Sequence, residues 1–285
     1  MESRQAIKNR IKSIEGTQQI TKSMRLVAMS KMQKAKERMN ENLVFLDESC
    51  KLVHLAKRCM EGEEHPYIDG RLPQNTLVVI ISGDRGLCGG YNAGIIRYAL
   101  HYIEGLGRPI KVVTIGSKVS DAFKRRQSYR PIHAFKGISD SPMYSEAAEI
   151  AEIVRAQFDS GEVDEVLLCY TRFVSMLSQE PEVARLLPLD ENVGAAAESD
   201  MLTFEPGGAS MLENVVSFYL TSRIFGAILE SAVSEQSARI LSMDGAARTA
   251  GDMIGKLTLR YNQVRQGAIT QELTEIVAGA DAVGG

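Results

Sequence analysis

The sequence predicts an α/β chain in which the N- and C-termini form a long antiparallel two-helix coiled coil. A central Rossmann-like α/β domain with a mainly parallel sheet lies between them. Three observations predict this. All eight prolines, at 66, 73, 109, 131, 142, 181, 188 and 206, fall in the middle of the 285 residues, so nothing breaks a helix in either long end. The C-terminal end repeats apolar residues in alternating steps of three and four. Between the ends, short apolar runs alternate with stretches of helical period.

Composition narrows the function classes. With 33 Lys+Arg, 36 Asp+Glu, net charge −3 and 44% hydrophobic residues, the chain is neither disordered, collagen-like nor a disulfide miniprotein. No apolar run approaches the roughly 18–20 residues that cross a bilayer. The start, Met1-Glu-Ser-Arg-Gln5, has no secretory or transit character, so the chain is expected to stay in the cytoplasm. Cys50, Cys59, Cys88 and Cys169 are then expected to be small buried thiols.

The N-terminal arm, residues 1–65, carries a seam at Ile7, Ile11 and Ile14, then polar Gln18, Thr21 and Arg25, then Ala28, Met32, Ala35 and Met39. The polar interruption implies that part of this helix packs against something other than one apolar partner. Residues 1–40 hold ten Lys and Arg against three acids, net +7, leaving −10 for the remainder. Such a face suits nucleic acid, an anionic membrane, an acidic protein loop or plain solvent. Nucleic acid is disfavoured by the overall negative charge and the lack of interleaved aromatics.

The central domain is placed at 75–190. Leu77–Ile81 reads as a buried strand, Tyr91–Leu106 as a helix, Ile110–Ile115 as a strand and Ser117–Arg126 as a helix. An extended piece follows at Ile132–Phe135, a helix at Met143–Phe158 and a strand at Glu165–Phe173. The stretch Val174–Pro188 returns as an antiparallel edge strand, because Pro181 suits an edge. Residues 191–208, rich in Gly and Ala, connect to the C-terminal arm at 209–285.

That arm has the stronger seam: Leu229, Val233, Gln236, Ile240, Met243, Ala247, Ala250, Ile254, Leu257, Tyr261, Val264 and Ala268. At about 1.5 Å per residue, helices over 4–60 and 209–283 are about 85 and 110 Å long, too long to bury in a domain of this mass. Winding them together as a projecting rod resolves this, with small residues such as Ala28, Ala35, Ala246, Ala247 and Ala250 permitting close approach.

The most suggestive local sequence is Ser82-Gly-Asp-Arg-Gly-Leu-Cys-Gly-Gly-Tyr-Asn92, a Gly-rich turn after a strand and before a helix, where α/β proteins cradle phosphates. Its spacing fits neither a P-loop nor Gly-x-Gly-x-x-Gly. Cys50, His54, Cys59 and His65 do not share one helix face, which argues against zinc. No nucleophile elbow, His-Glu-x-x-His or Cys-x-x-Cys motif occurs. No catalytic constellation assembles, and mechanical or binding work is the expectation. An α/β nucleotide-binding enzyme with a coiled-coil oligomerisation arm stays open as the alternative, and a basic coiled-coil nucleic-acid binder as a third class.

Several blocks carry a resemblance. Ile7-Lys-Asn-Arg-Ile-Lys-Ser-Ile14, Thr17-Gln-Gln-Ile-Thr-Lys-Ser-Met24, Val27-Ala-Met-Ser-Lys-Met32 and Asp84-Arg-Gly-Leu-Cys-Gly-Gly-Tyr-Asn92 are similar, in order, to the bacterial-type gamma subunit of F-type ATP synthases. So are Ser234-Glu-Gln-Ser-Ala-Arg239, Tyr261-Asn-Gln-Val-Arg-Gln266 and Ile269-Thr-Gln-Glu-Leu-Thr-Glu-Ile276. The resemblance implies a noncatalytic central rotor shaft, one copy per complex, with ATP chemistry on the beta subunits and no cofactor or metal of its own. It implies contacts with the alpha/beta hexamer through Lys22, Met24, Arg25, Lys31, Arg265, Gln266, Thr270, Glu272, Ile276 and Val277. Phe204, Glu205 and Pro206 would lie at the foot beside the c ring and epsilon subunit. Gly83, Arg85, Gly86, Gly89, Gly90 and Asn92 are expected to be structural. The location implied is peripheral, on the cytoplasmic face of the bacterial inner membrane, with no nucleic-acid partner. Gly207, Thr249 and Gly267 depart from the family pattern, Gly267 at about 0.5–1 kcal/mol against Ala in a helix.

Overall fold

The sheet is organised around β1 (Thr76–Ile81), six residues that are all buried. The computed structural model describes residues 3–60, 64–190, 193–194 and 208–283, without the side chains of 208–210 and 279–283. The elements run α1 (Arg4–Cys59), α2 (Pro66–Asp69), β1, α3 (Tyr91–Leu106), β2 (Ile110–Ile115), α4 (Ser117–Lys124), β3 (His133–Phe135), α5 (Tyr144–Asp159), β4 (Glu165–Phe173), β5 (Gln179–Leu187) and α6 (Gly208–Val283). Contacts divide the chain into two compact units, Ala28–Arg239 and the pairing of Met1–Val27 with Ile240–Gly285.

In the larger unit the five strands lie in the order β3-β2-β1-β4-β5. The pairs β1–β2, β1–β4 and β2–β3 are parallel, and β4–β5 is antiparallel. Pro181 sits in the edge strand β5 opposite Thr171, where its missing N–H breaks no further ladder.

A strand covered on both faces reads as one apolar run, and its alternation reappears in what each residue touches. Val78, Ile80, Val112, Leu167 and Cys169 pack with Ile95, Ala99, Ile103, Val119 and Phe123 of α3 and α4. Leu77, Val79, Ile81, Val166, Leu168 and Tyr170 face Ile150, Val154 and Phe158 of α5, Val53 and Ala56 of α1, and Leu220, Ile224 and Ile228 of α6. The two helices run antiparallel in this unit, since Asn42 Nδ2 donates to the Ser222 carbonyl at 3.1 Å and Arg38 lies over the Phe225 ring at 5.5 Å.

In the smaller unit the polar stretch of the α1 seam stays in the seam. Gln18 Nε2 donates to the Ala247 carbonyl at 3.1 Å, and the Arg25 guanidinium lies 3.5 Å from Asp244. Thr21 is buried, its hydroxyl capping the Gln18 carbonyl at 2.9 Å. The expectation that these residues meet a different partner is therefore corrected. Long polar side chains span the gap that small Ala247 and Gly251 leave on α6, and satisfy their hydrogen bonds there. Every seam position of α6 from Leu229 to Ala268 is buried or half-buried.

Two further expectations change. Cys59 is exposed, because the apolar stripe at the end of α1 runs through Val53, Ala56 and Met60 and leaves it off the core face. Helix α4 stops at Lys124 rather than Arg126; a 3-10 turn at Gln127–Tyr129 follows, and Arg130, before Pro131, is extended. No described helix is long and apolar enough to cross a membrane.

Candidate functional site

In an open parallel sheet a ligand binds outside the carboxyl ends of the strands, where the strand order reverses. Here that point lies between β1 and β4, whose outward connections run to opposite sides. The crevice is filled by α6 of the same chain. Ser231 Oγ accepts the Thr171 N–H at 3.3 Å, and Ser234 Oγ donates to the Thr171 carbonyl at 3.3 Å, both at the end of β4. Glu230 accepts the Phe173 N–H at 2.9 Å. From the β1 side, Tyr91 Oη donates to the Ser231 carbonyl at 3.0 Å.

The Gly-rich turn closes over the same helix. A Cβ on Gly83 would stand 2.6 Å from the Glu235 carboxyl carbon, so only glycine lets the two approach. Glu235 and Arg239 are buried and paired at 2.5 Å, one helical turn apart, and Arg239 also donates to the Gly86 carbonyl at 3.2 Å. Burial raises the Glu235 carboxyl above its ordinary value against the pull of Arg239, with Asp140 and Asp84 adding to the rise.

The turn itself is wired by its own polar residues. Gly83 N–H donates to Asn92 Oδ1 at 2.9 Å, and Asn92 Nδ2 donates to the Arg85 carbonyl at 3.0 Å. Gly89 takes φ 57° and Leu87 φ 61°. Asp84 accepts from the N–H and hydroxyl of Ser117 at 2.8 and 2.7 Å and from those of Ser139 at 3.1 and 2.8 Å. The first turn of α4, where a phosphate would be held, thus already carries an internal carboxylate. Asp140, next along, binds Lys31 of α1 and Arg85 of the turn, each at 2.9 Å.

Burial alone would raise the Asp84 carboxyl, but hydrogen bonds from the Gly137 and Ser117 backbones and the Ser117 and Ser139 hydroxyls outweigh it and lower the value below 3.8. A depressed folded value means stability that is present above 3.8 and lost as the pH falls through the folded value. Asp84→Asn, whose amide faces donors, is expected to lower stability by about 2 kcal/mol at pH 7. It should also flatten the acid limb below pH about 4, as read by urea unfolding against pH. A variant with the wild-type acid limb would contradict this role.

The remaining sequence candidates lie elsewhere. Lys22, exposed, and Arg25, half-buried, line an open groove of about 430 Å3 with Gln18, Asp244 and Arg248, and Met24 beside them is half-buried. Lys31 is instead engaged by Asp140. Arg265, Gln266, Thr270, Glu272, Ile276 and Val277 are exposed on α6. Ile269, Leu273, Ile276 and Val277 recur at helical spacing and give that end of α6 an exposed apolar face. Gly90 caps α3 without close neighbours. Phe204, Glu205 and Pro206, and the departure Gly207, lie outside the described residues. No group of His, Cys, Asp and Glu among the described residues could hold a metal.

A residue-pattern reading misses the Glu235–Arg239 pair. Its signal is an acid and a base at i,i+4 inside a helix stretch otherwise made of small and apolar residues, the place where a paired charge is bought by burial rather than left to solvent.

Comparison with known proteins gives a consistent set of relatives. A family model described as ATP synthase matches residues 3–283. The ATP synthase gamma chain of Pelotomaculum thermopropionicum is 37% identical over 285 residues, covering 99% of this chain and 100% of that one. The Clostridium beijerinckii gamma chain is 38% identical over 277 residues, covering 97% and 96%. Among solved structures, a chain of the Tetrahymena thermophila mitochondrial ATP synthase central stalk/c-ring matches with TM-score 0.63 and 24% identity, covering 80% of this chain and 99% of that one. A chain of the Euglena gracilis mitochondrial ATP synthase OSCP/F1/c-ring assembly matches with TM-score 0.67 and 17% identity, covering 98% and 94%. At these identities the structural likeness is one of fold.

Proposed function

The chain belongs to the ATP synthase gamma chain family, and from that premise we propose that it is the noncatalytic central-stalk subunit, a rotor shaft. It couples ion-driven rotation of the membrane c ring to sequential conformational change at the catalytic sites of the beta subunits. The observation that carries this reading is the filled crevice. The carboxyl ends of β1 and β4, the place for a nucleotide in a sheet of this kind, are occupied by Ser231, Ser234 and Glu235 of α6. A sheet whose ligand end holds a helix serves that helix.

A shaft must resist twisting and must not stick at one angle. The packed seam suits the first need, and exposed polar positions such as Arg265, Gln266 and Thr270 suit the second through weak, exchangeable contacts. Lys22, Met24 and Arg25, with Lys31 once released from Asp140, and Glu272, Ile276 and Val277 complete the surface assigned to the alpha/beta hexamer. Residues 75–190 form the foot, with Phe204, Glu205 and Pro206 assigned to the c ring and epsilon subunit. Attachment to the membrane is then through the c ring, on the cytoplasmic face. The similar structure named for a central stalk supports the assignment.

The purified chain is expected to hydrolyse no ATP, to give no saturable heat with ATP or dinucleotides in calorimetry, and to complete an alpha/beta hexamer into a stable, active complex. Hydrolysis surviving rigorous purification, or saturable nucleotide binding, would return the reading to the nucleotide-binding enzyme with an oligomerisation arm.

A further inference from the structure

The Gly-rich turn is linked to both long helices of its unit, directly to α6 and through Asp140 to α1, and the rotor reading alone does not require this. On α6, Arg239 donates to the Gly86 carbonyl at 3.2 Å, and the Glu235 carboxylate fits against Gly83, where a Cβ would stand 2.6 Å from its carboxyl carbon. On α1, Lys31 binds Asp140 at 2.9 Å, and the other Asp140 oxygen binds Arg85 of the turn at 2.9 Å. The turn is itself fixed to the start of α3 by Asn92, and to the start of α4 and Ser139 by Asp84.

These contacts differ in kind from the apolar seam. An apolar interface is non-directional and lets one helix slide or roll over another with little loss, whereas a directional hydrogen bond such as Arg239 to the Gly86 carbonyl fixes register and angle. The Glu235–Arg239 pair, one turn apart within α6, holds the guanidinium in place for it. A buried Glu–Arg pair adds little net stability over apolar residues of the same volume, so its retention asks for a reason other than stability. Arg239 is the last residue of the larger unit and Glu235 lies one helical turn before it, while Lys31 lies three residues after its start at Ala28.

We propose that Glu235, Arg239, Asp140 and the Gly83–Gly86 turn form a clasp that fixes the rotational angle of α1 and α6 against the sheet domain, and that torque passes between foot and shaft through it. Glu235 and Arg239 are positioning residues in this account. The inference rests on the rotor reading and goes beyond it by naming where the shaft is gripped.

The test uses the complete complex with alpha, beta, epsilon and c ring in sealed vesicles, reading ATP hydrolysis and ATP-driven ion pumping together. Omission of the chain is the control for the rotor reading: pumping that persists without it would sink that reading, whatever the variants do. In the double variant Glu235→Gln with Arg239→Gln, which removes both charges and keeps polar side chains at both positions, hydrolysis is expected to remain within about twofold. Pumping per ATP should fall at least fivefold, and Arg239→Lys, which keeps the charge, should recover most of it. Asp140→Asn, a near-isosteric change at a partly exposed site, should lower pumping per ATP about twofold. It decides the matter if the double variant fails to assemble. An unchanged ratio in the variants that assemble, or hydrolysis and pumping falling in proportion, overturns the clasp.

Discussion

Gly116→Ala is expected to lower stability by about 3–5 kcal/mol and the melting temperature of the purified chain by roughly 10 °C, as read by calorimetry. Gly116 stands at φ 101° between β2 and α4, where L side chains are strained, and a Cβ there would lie 2.2 Å from the Ser82 carbonyl oxygen. That oxygen belongs to backbone at the end of β1, so no flexible side chain can give way. The Ser82 hydroxyl in turn accepts the Val119 N–H at 3.0 Å, so any retreat of Ser82 disturbs the start of α4 as well. The effect should reach function, because Gly83 follows directly and has no room to move toward Glu235. A melting temperature within about 2 °C of wild type would mean that the end of β1 yields more easily than its packing implies.

How much of this could be read from residues alone differs by element. The α6 seam was legible because a period of 3.5 survives over five heptads, and each position from Leu229 to Ala268 is buried or half-buried. The strands were legible because β1, β2 and β4 are apolar runs bounded by Gly, Pro or charged residues, and Pro181 marked the edge. The partner of Gln18, Thr21 and Arg25 was not legible, because a polar residue in a seam can be satisfied by a carbonyl or an acid on the facing helix, and spacing on one helix does not reveal which. For the same reason spacing does not reveal that Lys31 of the basic arm pairs with Asp140, 109 residues away.

The Gly-rich turn illustrates a different limit. Its glycines look like a phosphate cradle because both uses need close backbone approach, and sequence spacing only excludes the common phosphate motifs. What approaches is a carboxylate of the same chain, with Asp84 at the start of α4 and Glu235 against Gly83. Recognising this requires knowing that α6 returns across the carboxyl ends of the strands, a long-range fact absent from local pattern.

Arg265→Ala with Gln266→Ala is expected to weaken association of the chain with the alpha/beta hexamer roughly 140- to 700-fold. Both side chains are exposed on α6 in a stretch whose seam partners Tyr261, Val264 and Ala268 are half-buried, so they point away from the helix pair. A charge-assisted hydrogen bond contributes about 1.5–3 kcal/mol and a neutral one about 1, and a total near 3–4 kcal/mol converts at tenfold per 1.4 kcal/mol. Because exposed positions seldom change stability by more than about 0.5 kcal/mol, the melting temperature of the isolated chain should stay where it was. The two readouts together locate the effect. Weaker association with an unchanged melting temperature assigns the loss to the surface that meets the hexamer, and unchanged association removes these two residues from it. A fall in both would place the pair in the fold of the helix instead. The neighbouring apolar face at Ile269, Leu273, Ile276 and Val277 gives an internal comparison: Ile276→Ser should weaken association without the salt sensitivity that loss of Arg265 removes, since apolar burial is not screened.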